Sequence, residues 1–152
     1  MDVFVHALSK EIKDRKNELS EDIIKTIYFG GGTPSRLSKT HFEKIFNSIY
    51  FNYAVSANAE ITIETNPDDL SKGYVDMLTT LPFNRISIGI QSFDDEELKF
   101  LTRRHDSKTA IEAVRYCQEK GFNNINIDLM YGLPKQTLDI WRSNLEKACA
   151  LN

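Results

Sequence analysis

The stretch Thr26-Ile27-Tyr28-Phe29-Gly30-Gly31-Gly32-Thr33-Pro34-Ser35 decides how this chain folds. Its first four residues are β-branched or aromatic and indicate a strand, and three consecutive glycines follow at the carboxyl end of that strand. Glycine has no Cβ atom, so the main-chain amides and carbonyls of this turn are open to a ligand. Because parallel α/β proteins bind ligands at the carboxyl ends of their strands, the glycine turn is the first candidate binding element.

The order of strand, polar tip and helix recurs along the chain. Strands are predicted at 26–29, 60–64, 85–90 and 124–130, with a first helix at about 2–17 and further helices after the strands. Strands that alternate with helices predict a parallel sheet with right-handed crossovers. The near-continuous apolar character of the strands indicates a sheet covered by helices. Four units are too few to close a (β/α)8 barrel, so the pattern predicts an arc of a barrel or half of an open sheet.

Residues that accept hydrogen bonds from free backbone amides mark the helix starts. The predicted N-caps are Ser38, Ser71, Asp94, Ser107 and Thr137. Gly121 is predicted to follow the end of the helix over 110–120. The last helix is expected to include the apolar residues Leu138, Trp141, Leu145 and Ala148.

The composition is that of an ordinary globular domain, with 152 residues, 41% hydrophobic and 27% charged, and a net charge of −3. Lysines and arginines are dispersed, so no nucleic-acid binding is expected. No apolar run approaches the ~20 residues of a membrane span, and the amino terminus lacks the features of a signal peptide. Cys117 and Cys149 lack the spacing of a disulfide framework or a zinc site, and both are expected to be buried free thiols in the cytoplasm.

Polar groups stand at the tips of all four predicted strands. The candidate residues are Gly31, Gly32, Thr33, Glu64, Gln91, Arg103 and Asp128. Two carboxylates among them argue against a bare phosphate and suit an ammonium group or the hydroxyls of a sugar. The arginine can hold a carboxylate bidentately. A zwitterionic nucleoside built from an amino acid would use all of these groups.

Each of these residues also has a structural interpretation. The glycines can form a tight turn only, and Glu64 can be a strand-end carboxylate in a salt bridge. Asp128 lies in an apolar run and needs a partner if it is buried. Gln91 can satisfy loop backbone, and Arg104 competes with its neighbour for the role of the binding arginine. The nearby histidine, His105, is expected to be a packing or capping residue.

In five segments the chain resembles the radical S-adenosylmethionine (SAM) superfamily, and more narrowly its oxygen-independent coproporphyrinogen III oxidases and HemW-type haem chaperones. The matching segments are 28–35, 63–67, 85–93, 101–105 and 126–134, in the order found in the family. The resemblance implies an α/β fold of parallel βα repeats that form part of a TIM-like partial (β/α)6 barrel. Residues 1–152 would then be a fragment of a single radical SAM core domain that contains about strands two to five.

The resemblance also implies which residues bind SAM. Gly31, Gly32 and Thr33 match the glycine motif that meets the methionine ammonium, and position 64 matches an acid near the same end of SAM. Positions 91 and 128 match ribose-binding residues, and position 103 matches a basic residue that meets a carboxylate.

The cluster motif of the family is missing from this chain. Radical SAM enzymes hold a [4Fe-4S] cluster on three cysteines spaced C-x3-C-x2-C, and thiolates are the natural ligands of such clusters. Cys117 and Cys149 cannot replace that motif. The [4Fe-4S] cluster is therefore expected in the parent protein only, and this chain is expected to be inactive, without a catalytic residue or a metal ligand.

By resemblance, the parent protein belongs to porphyrin and haem biosynthesis, cleaves SAM reductively and converts a propionate of coproporphyrinogen III to vinyl by oxidative decarboxylation. One alternative is a HemW-type chaperone that binds haem without oxidase activity. The second alternative is an unrelated (β/α)8 enzyme that binds a phosphorylated substrate at the glycine turn. A tetrapyrrole or haem is the expected partner, and the exposed edges of a truncated sheet predict association between copies of the chain.

Overall fold

The computed structural model describes residues 1–19 and 23–151 and has four parallel strands in one sheet, in the order β1-β2-β3-β4. The strands are β1 (Ile24–Phe29), β2 (Val55–Thr65), β3 (Arg85–Gln91) and β4 (Ile125–Leu129). The helices are α1 (Asp2–Asp14), α2 (Lys39–Asn52), α3 (Lys72–Leu78), α4 (Asp95–Phe100), α5 (Ser107–Glu119) and α6 (Leu138–Cys149). The α/β fold with parallel βα repeats is confirmed.

The pairing register brings the carboxyl ends of all four strands to one edge of the sheet. Ile27 pairs with Ile61, Ile63 with Ile86, and Ile88 with Ile127. Each strand lies beside the strand that precedes it in sequence, as consecutive units do in a βα barrel. The turns that follow the strands therefore meet on the same side of the molecule.

Side chains alternate between two chemically different faces of the sheet. One face is buried against the helices and carries Ile61, Ile63, Ile86, Ile88 and Ile90. The intervening positions carry Thr62, Glu64, Ser87, Gly89 and Asp128. The expectation of near-continuous apolar strands is wrong, because polar residues alternate with the isoleucines. The polar face leads to the strand tips and supplies side chains to the candidate site.

Four phenylalanine rings fix α2 against the sheet. Phe29 of β1 contacts Phe42 of α2 and Phe83 with ring centroids 5.6 Å and 5.2 Å apart, in edge-to-face geometry. Phe46 of α2 packs on Phe29 and Phe83, with ring centroids 5.0 Å and 5.3 Å apart. Edge-to-face aromatic pairs stabilise the fold by more than the burial of their apolar area alone. The cluster holds the strand that precedes the glycine turn in a fixed position.

Four of the five predicted N-caps are confirmed. Ser38, Ser71, Asp94 and Thr137 accept hydrogen bonds from amides in the first turns of their helices. The prediction of Ser107 is wrong, because Asp106 caps α5 and accepts from the Thr109 amide at 2.7 Å. Ser107 is already the first helical residue, and its amide donates to Asp95 at 2.8 Å. Gly121 follows α5 with φ +92°, as predicted.

Other boundaries and burials differ from the sequence-based expectations. The first helix ends at Asp14, and β2 begins five residues earlier than predicted, at Val55 rather than 60. Cys117 is buried, and burial raises the pKa of its thiol to about 12, but Cys149 is exposed. The expectation of two buried thiols is therefore wrong for Cys149.

Helix α6 exposes apolar side chains and buries a polar one. Leu138 is 81% exposed and Leu145 is 42% exposed, whereas Asn144 is 1% exposed. None of the helices within the described ranges is long and apolar enough to cross a membrane.

The aromatic cluster predicts a large effect of truncating Phe83. We expect Phe83→Ala to lower the free energy of unfolding by roughly 3–5 kcal/mol, because it leaves a cavity among three other rings. Urea denaturation followed by circular dichroism measures this change. Phe51→Ala is the matched control, since Phe51 is 87% exposed, and its effect is expected to stay within about 0.5 kcal/mol. Equal effects of the two substitutions would contradict the packing described here.

Candidate ligand-binding site at the strand tips

A cavity of about 210 Å³ lies where the carboxyl ends of the strands converge. Its lining residues are Gly32, Thr33, Pro34, Ser35, Glu64, Thr65, Asn66, Ser87, Gly89 and Asp128. Gly32 and Thr33 of the glycine turn and the two predicted carboxylates therefore face one common space, whereas Gly31 does not line it. No lysine or arginine is among the residues that line it.

The backbone of the glycine turn requires glycine at two positions. Gly31 and Gly32 have φ values of +75° and +62°, in the left-handed region that residues with a side chain seldom adopt. A Cβ atom at either position would have open space around it, so conformation rather than crowding sets this requirement. The left-handed turn aims the Gly31 amide at β2, where it donates to Glu64 Oε2 at 3.0 Å.

The Glu64 carboxylate is held by two donors that leave its charge unneutralised. The Tyr28 hydroxyl donates to Oε1 at 2.7 Å, and the Gly31 amide donates to Oε2. This hydrogen bond to Glu64 raises the pKa of the Tyr28 phenol, because ionisation would break the bond and place two negative charges together. Among the described residues, Glu64 forms no salt bridge. Its negative charge is therefore available to a cationic ligand.

Asp128 is oriented by its neighbours on β3 and β4. The Asn126 amide donates to Oδ1 at 2.7 Å, and the Ser87 hydroxyl lies 3.5 Å from Oδ2. Asn126 also donates to Ser87 Oγ at 3.0 Å, so the three side chains form one network on the polar face of the sheet. Asp128 is exposed, and it therefore needs no buried counter-charge.

Gln91 and Arg103 lie against residues that line the cavity, Gly89 and Asn66. Gln91 has φ +74°, and its Nε2 lies 2.9 Å from the position that a Cβ on Gly89 would occupy. Arg103 Nη2 donates to Asn66 Oδ1 at 2.7 Å and to the Gly89 carbonyl at 2.6 Å. Neither side chain lines the cavity itself.

Arg104 contacts different residues from those that Arg103 contacts. Its guanidinium lies 3.4 Å from carboxylate oxygens of Asp68 and Asp69, and the side chain is largely exposed. His105 is buried, and its Nε2 donates to the Ile90 carbonyl at 3.1 Å, in agreement with a packing role. Arg103 is therefore the arginine that contacts residues of the cavity wall.

Sequence reasoning missed three residues of the site, Tyr28, Asn66 and Ser87. Tyr28 lies within the predicted first strand and Asn66 follows the second, and both hydrogen-bond predicted site residues. Alternation of polar and apolar residues along the strands is the signal for Ser87, because it places Ser87 on the same face as Glu64 and Asp128. Asn66 lies after the end of β2 and has no such signal. Asp69 adds a link between turns, because it accepts from Ser35 Oγ at 2.6 Å and from Asn66 Nδ2 at 3.3 Å.

Comparison with known families gives one match to nearly the whole chain. The family described as the Radical SAM superfamily matches residues 5–148. The heme chaperone HemW of Lactococcus lactis is 36% identical over 147 residues, which are 97% of this chain and 38% of the relative. The oxygen-independent coproporphyrinogen III oxidase of Escherichia coli is 33% identical over 151 residues, which are 99% of this chain and 33% of the relative. The chain thus spans less than half the length of these curated relatives.

Solved structures give the same picture. Coproporphyrinogen III oxidase (HemN) from Escherichia coli, described as a radical SAM enzyme, superimposes with a TM-score of 0.88 at 33% identity. That match covers 99% of this chain and 35% of the other. Elp3 of Methanocaldococcus infernus matches with a TM-score of 0.70 at 20% identity, over 92% of this chain and 37% of the other, and shows the shared fold alone.

The link between Tyr28 and Glu64 predicts a measurable pKa change. Glu64→Gln removes the negative charge that disfavours the phenolate, so we expect the raised pKa of Tyr28 to fall towards its ordinary value of about 10. Titration of tyrosine 13Cζ chemical shifts measures the change. Tyr50 is the internal control, because burial alone raises its pKa. A Tyr28 pKa that stays unchanged in the variant would exclude the hydrogen bond to Glu64.

Proposed function

The chain belongs to the radical SAM superfamily, and from this premise we propose that the cavity at its strand tips binds SAM. The proposed binding residues are Gly31, Gly32, Thr33, Glu64, Gln91, Arg103 and Asp128. The observation that carries the proposal is the convergence of two carboxylates and an amide-rich turn on a cavity without lysine or arginine in its wall. When bound in the parent protein, SAM would supply a 5′-deoxyadenosyl group, provided that the [4Fe-4S] cluster of that protein delivers the electron that cleaves the sulfonium.

The methionine end of SAM fits the side of the cavity formed by Glu64 and the glycine turn. Glu64 has no salt-bridge partner in the described part of the chain, and carboxylates pair strongly with ammonium groups. The left-handed turn at Gly31 and Gly32 leaves main-chain groups open to close approach. In our proposal, Glu64 and Thr33 fix the ammonium, and the hydrogen bond from Tyr28 keeps the carboxylate in place.

The ribose fits the opposite side, where Asp128 faces the cavity. Carboxylates accept hydrogen bonds from sugar hydroxyls in nucleotide-binding folds. The network from Asn126 and Ser87 fixes the orientation of the Asp128 carboxylate before a ligand arrives. Gln91 lies over Gly89 on the same side and can donate or accept through its amide.

Arg103 is proposed to meet the SAM carboxylate. Guanidinium carries five N–H donors, and two of the bonds seen here, to Asn66 and the Gly89 carbonyl, come from Nη2 alone. These bonds hold the planar group at the edge of the cavity. Donors on its other nitrogens remain for a bidentate contact.

The described residues do not fit an iron–sulfur cluster. They contain no group of three or more His, Cys, Asp or Glu side chains placed to hold a metal ion. Cys117 is buried in α5, and Cys149 lies at the end of α6. We therefore propose that the [4Fe-4S] ligands belong to the parent protein, that residues 1–152 supply about strands two to five of its core domain, and that the chain alone is inactive.

For the parent protein we propose oxygen-independent coproporphyrinogen III oxidase activity, in which a substrate propionate becomes a vinyl group. Support comes from the Escherichia coli relative of that name and from the match to its structure. The second candidate is a haem chaperone, because HemW relatives match with comparable identity. A phosphate-binding (β/α)8 enzyme is not proposed, since the family match and the two carboxylates of the cavity disfavour it.

Assays of the full-length parent protein separate the two candidates. We expect the anaerobic, cluster-reconstituted protein to form vinyl product from coproporphyrinogen III when SAM and a reductant are present. Product chromatography measures this reaction, and a haem titration by absorbance is run on the same preparation. Stoichiometric haem binding without vinyl product would favour the chaperone over the oxidase.

The ribose contact predicts a loss of SAM affinity in Asp128→Asn. The substitution keeps the shape of the side chain and removes its charge, so we expect the SAM dissociation constant of the parent protein to rise roughly 10- to 100-fold. Equilibrium dialysis with labelled SAM measures it. Asp139→Asn is the matched control, because Asp139 is exposed on α6 and pairs with Arg142. Affinity within twofold of wild type in Asp128→Asn would contradict the assignment.

We also propose that the protein is cytoplasmic. We further propose that the isolated chain associates with copies of itself. In the described sheet, β1 and β4 each pair on one side only, and unpaired strand edges favour association between copies. Light scattering tests this proposal, and a monodisperse monomer at all concentrations would contradict it.

A further inference from the structure

A buried polar cluster begins at the residue after Gln91 and lies outside the cavity. Its members are Ser92 after β3, Glu97 on α4 and Asn144 on α6, which are 0%, 6% and 1% exposed. None of the three lines the cavity, so the cluster is separate from the candidate SAM contacts. Buried polar groups are costly unless they are hydrogen-bonded, and an apolar residue at 144 would avoid that cost. The placement of an amide there needs a reason.

Asn144 hydrogen-bonds the loop that begins directly after Gln91. Its Oδ1 accepts from the Phe93 amide at 2.7 Å. Its Nδ2 donates to Ser92 Oγ at 3.1 Å and to Glu97 Oε2 at 3.2 Å. One amide side chain on α6 thus contacts the backbone of the loop and two further members of the cluster.

Three further polar groups of the loop are also hydrogen-bonded: the Ser92 hydroxyl, the Asp94 amide and the Phe93 carbonyl. Ser92 Oγ donates to Glu97 Oε2 at 2.5 Å and accepts from the Asp94 amide at 2.9 Å. Lys147, one turn after Asn144 on α6, donates to the Phe93 carbonyl at 2.9 Å. Side chains of α6 therefore hold the Phe93 backbone, and Ser92, which is bound to Glu97 of α4, holds the Asp94 amide.

Gln91 depends on this fixed backbone for its own conformation. Its φ of +74° lies in the left-handed region, which a residue with a side chain adopts only when its surroundings impose it. On one side, the Gln91 carbonyl accepts from the Met130 amide at 2.8 Å. On the other side, the cluster holds the Ser92 side chain and the Phe93 amide. The left-handed backbone directs the Gln91 side chain back over Gly89, which lines the cavity.

We propose that Asn144 is a positioning residue for the ribose contact made by Gln91. The proposal rests on the SAM-binding function proposed above and adds to it a residue on a helix outside the cavity. Asn144 holds the loop after β3, and the loop holds Gln91 in the left-handed conformation that presents its amide to the ligand. Loss of the Asn144 amide frees the loop and lets Gln91 return to an extended conformation.

The test compares variants of the full-length parent protein by SAM affinity. Gln91→Ala and Asn144→Ala are each expected to raise the SAM dissociation constant about 3- to 10-fold. Both should also reduce the preference for SAM over an analogue that lacks the ribose hydroxyls. Combining the two substitutions should raise the dissociation constant no further than Gln91→Ala alone, because both act on the same contact.

A matched control removes a hydrogen bond that lies near α6 but does not involve the loop after β3. The Gln118 side-chain amide donates to the Leu151 carbonyl, just beyond α6. Gln118→Ala is expected to lower the melting temperature without changing the preference between SAM and the analogue. This variant shows what general loosening near α6 does in the absence of the loop contact.

A charge-compensated pair keeps the test independent of folding defects. Asn144→Asp retains an oxygen for the Phe93 amide but faces the Glu97 carboxyl, 3.2 Å from the present Nδ2. We expect weak SAM binding in Asn144→Asp. Adding Glu97→Gln restores a donor opposite an acceptor and should bring affinity back to within about twofold of wild type.

Three outcomes decide the proposal. Weakened binding in Asn144→Ala, non-additivity with Gln91→Ala and rescue by Glu97→Gln support it. Unchanged SAM preference in Asn144→Ala, while Gln91→Ala weakens binding, overturns the positioning role and leaves the SAM site intact. Unchanged affinity in Gln91→Ala overturns both the role of Asn144 and the assignment of Gln91 to SAM.

Discussion

One carboxylate joins the glycine turn to the sheet, and the candidate site depends on it. Glu64 accepts from the Gly31 amide and from the Tyr28 hydroxyl, so the turn after β1 is tied to the tip of β2. The left-handed φ of Gly31 makes the first bond reachable. This link adds to the pairing of β1 with β2 and to the bond from Ser35 to Asp69, and it is the one that sets the Glu64 carboxylate against the glycine turn. Glu64 also carries the negative charge to which our proposal assigns the ammonium of SAM.

One face of the sheet forms the apolar core, and the other face carries the polar residues of the candidate site. Isoleucines on one face pack against the helices, and the phenylalanine cluster fixes α2 beside β1. The opposite face places Ser87 and Asp128 on a network that orients the Asp128 carboxylate at the cavity. Because alternation is strict in a strand, a shift of register by one residue would exchange the two faces. The apolar packing therefore also determines which polar groups reach the strand tips.

Local sequence signals predicted the order of elements, four of the five N-caps and the segments that form the strand tips. They failed where a neighbouring residue competed, as Asp106 did with Ser107, because a carboxylate one position earlier could also accept the first-turn amide. The bonds from Arg103 to Asn66 and to the Gly89 carbonyl join distant parts of the chain and leave no local pattern. Asn144 gave no signal either, since a single polar residue in a helix usually faces water and here it is buried.

The central claim is that the strand tips of this chain form one pocket for SAM. A crystal structure of the full-length parent protein with SAM bound tests it most directly. The account predicts that the methionine ammonium lies within about 2.7–3.2 Å of a Glu64 oxygen and that a ribose hydroxyl lies at a similar distance from Asp128. SAM bound elsewhere, or bound here with both carboxylates turned away from it, would contradict the account.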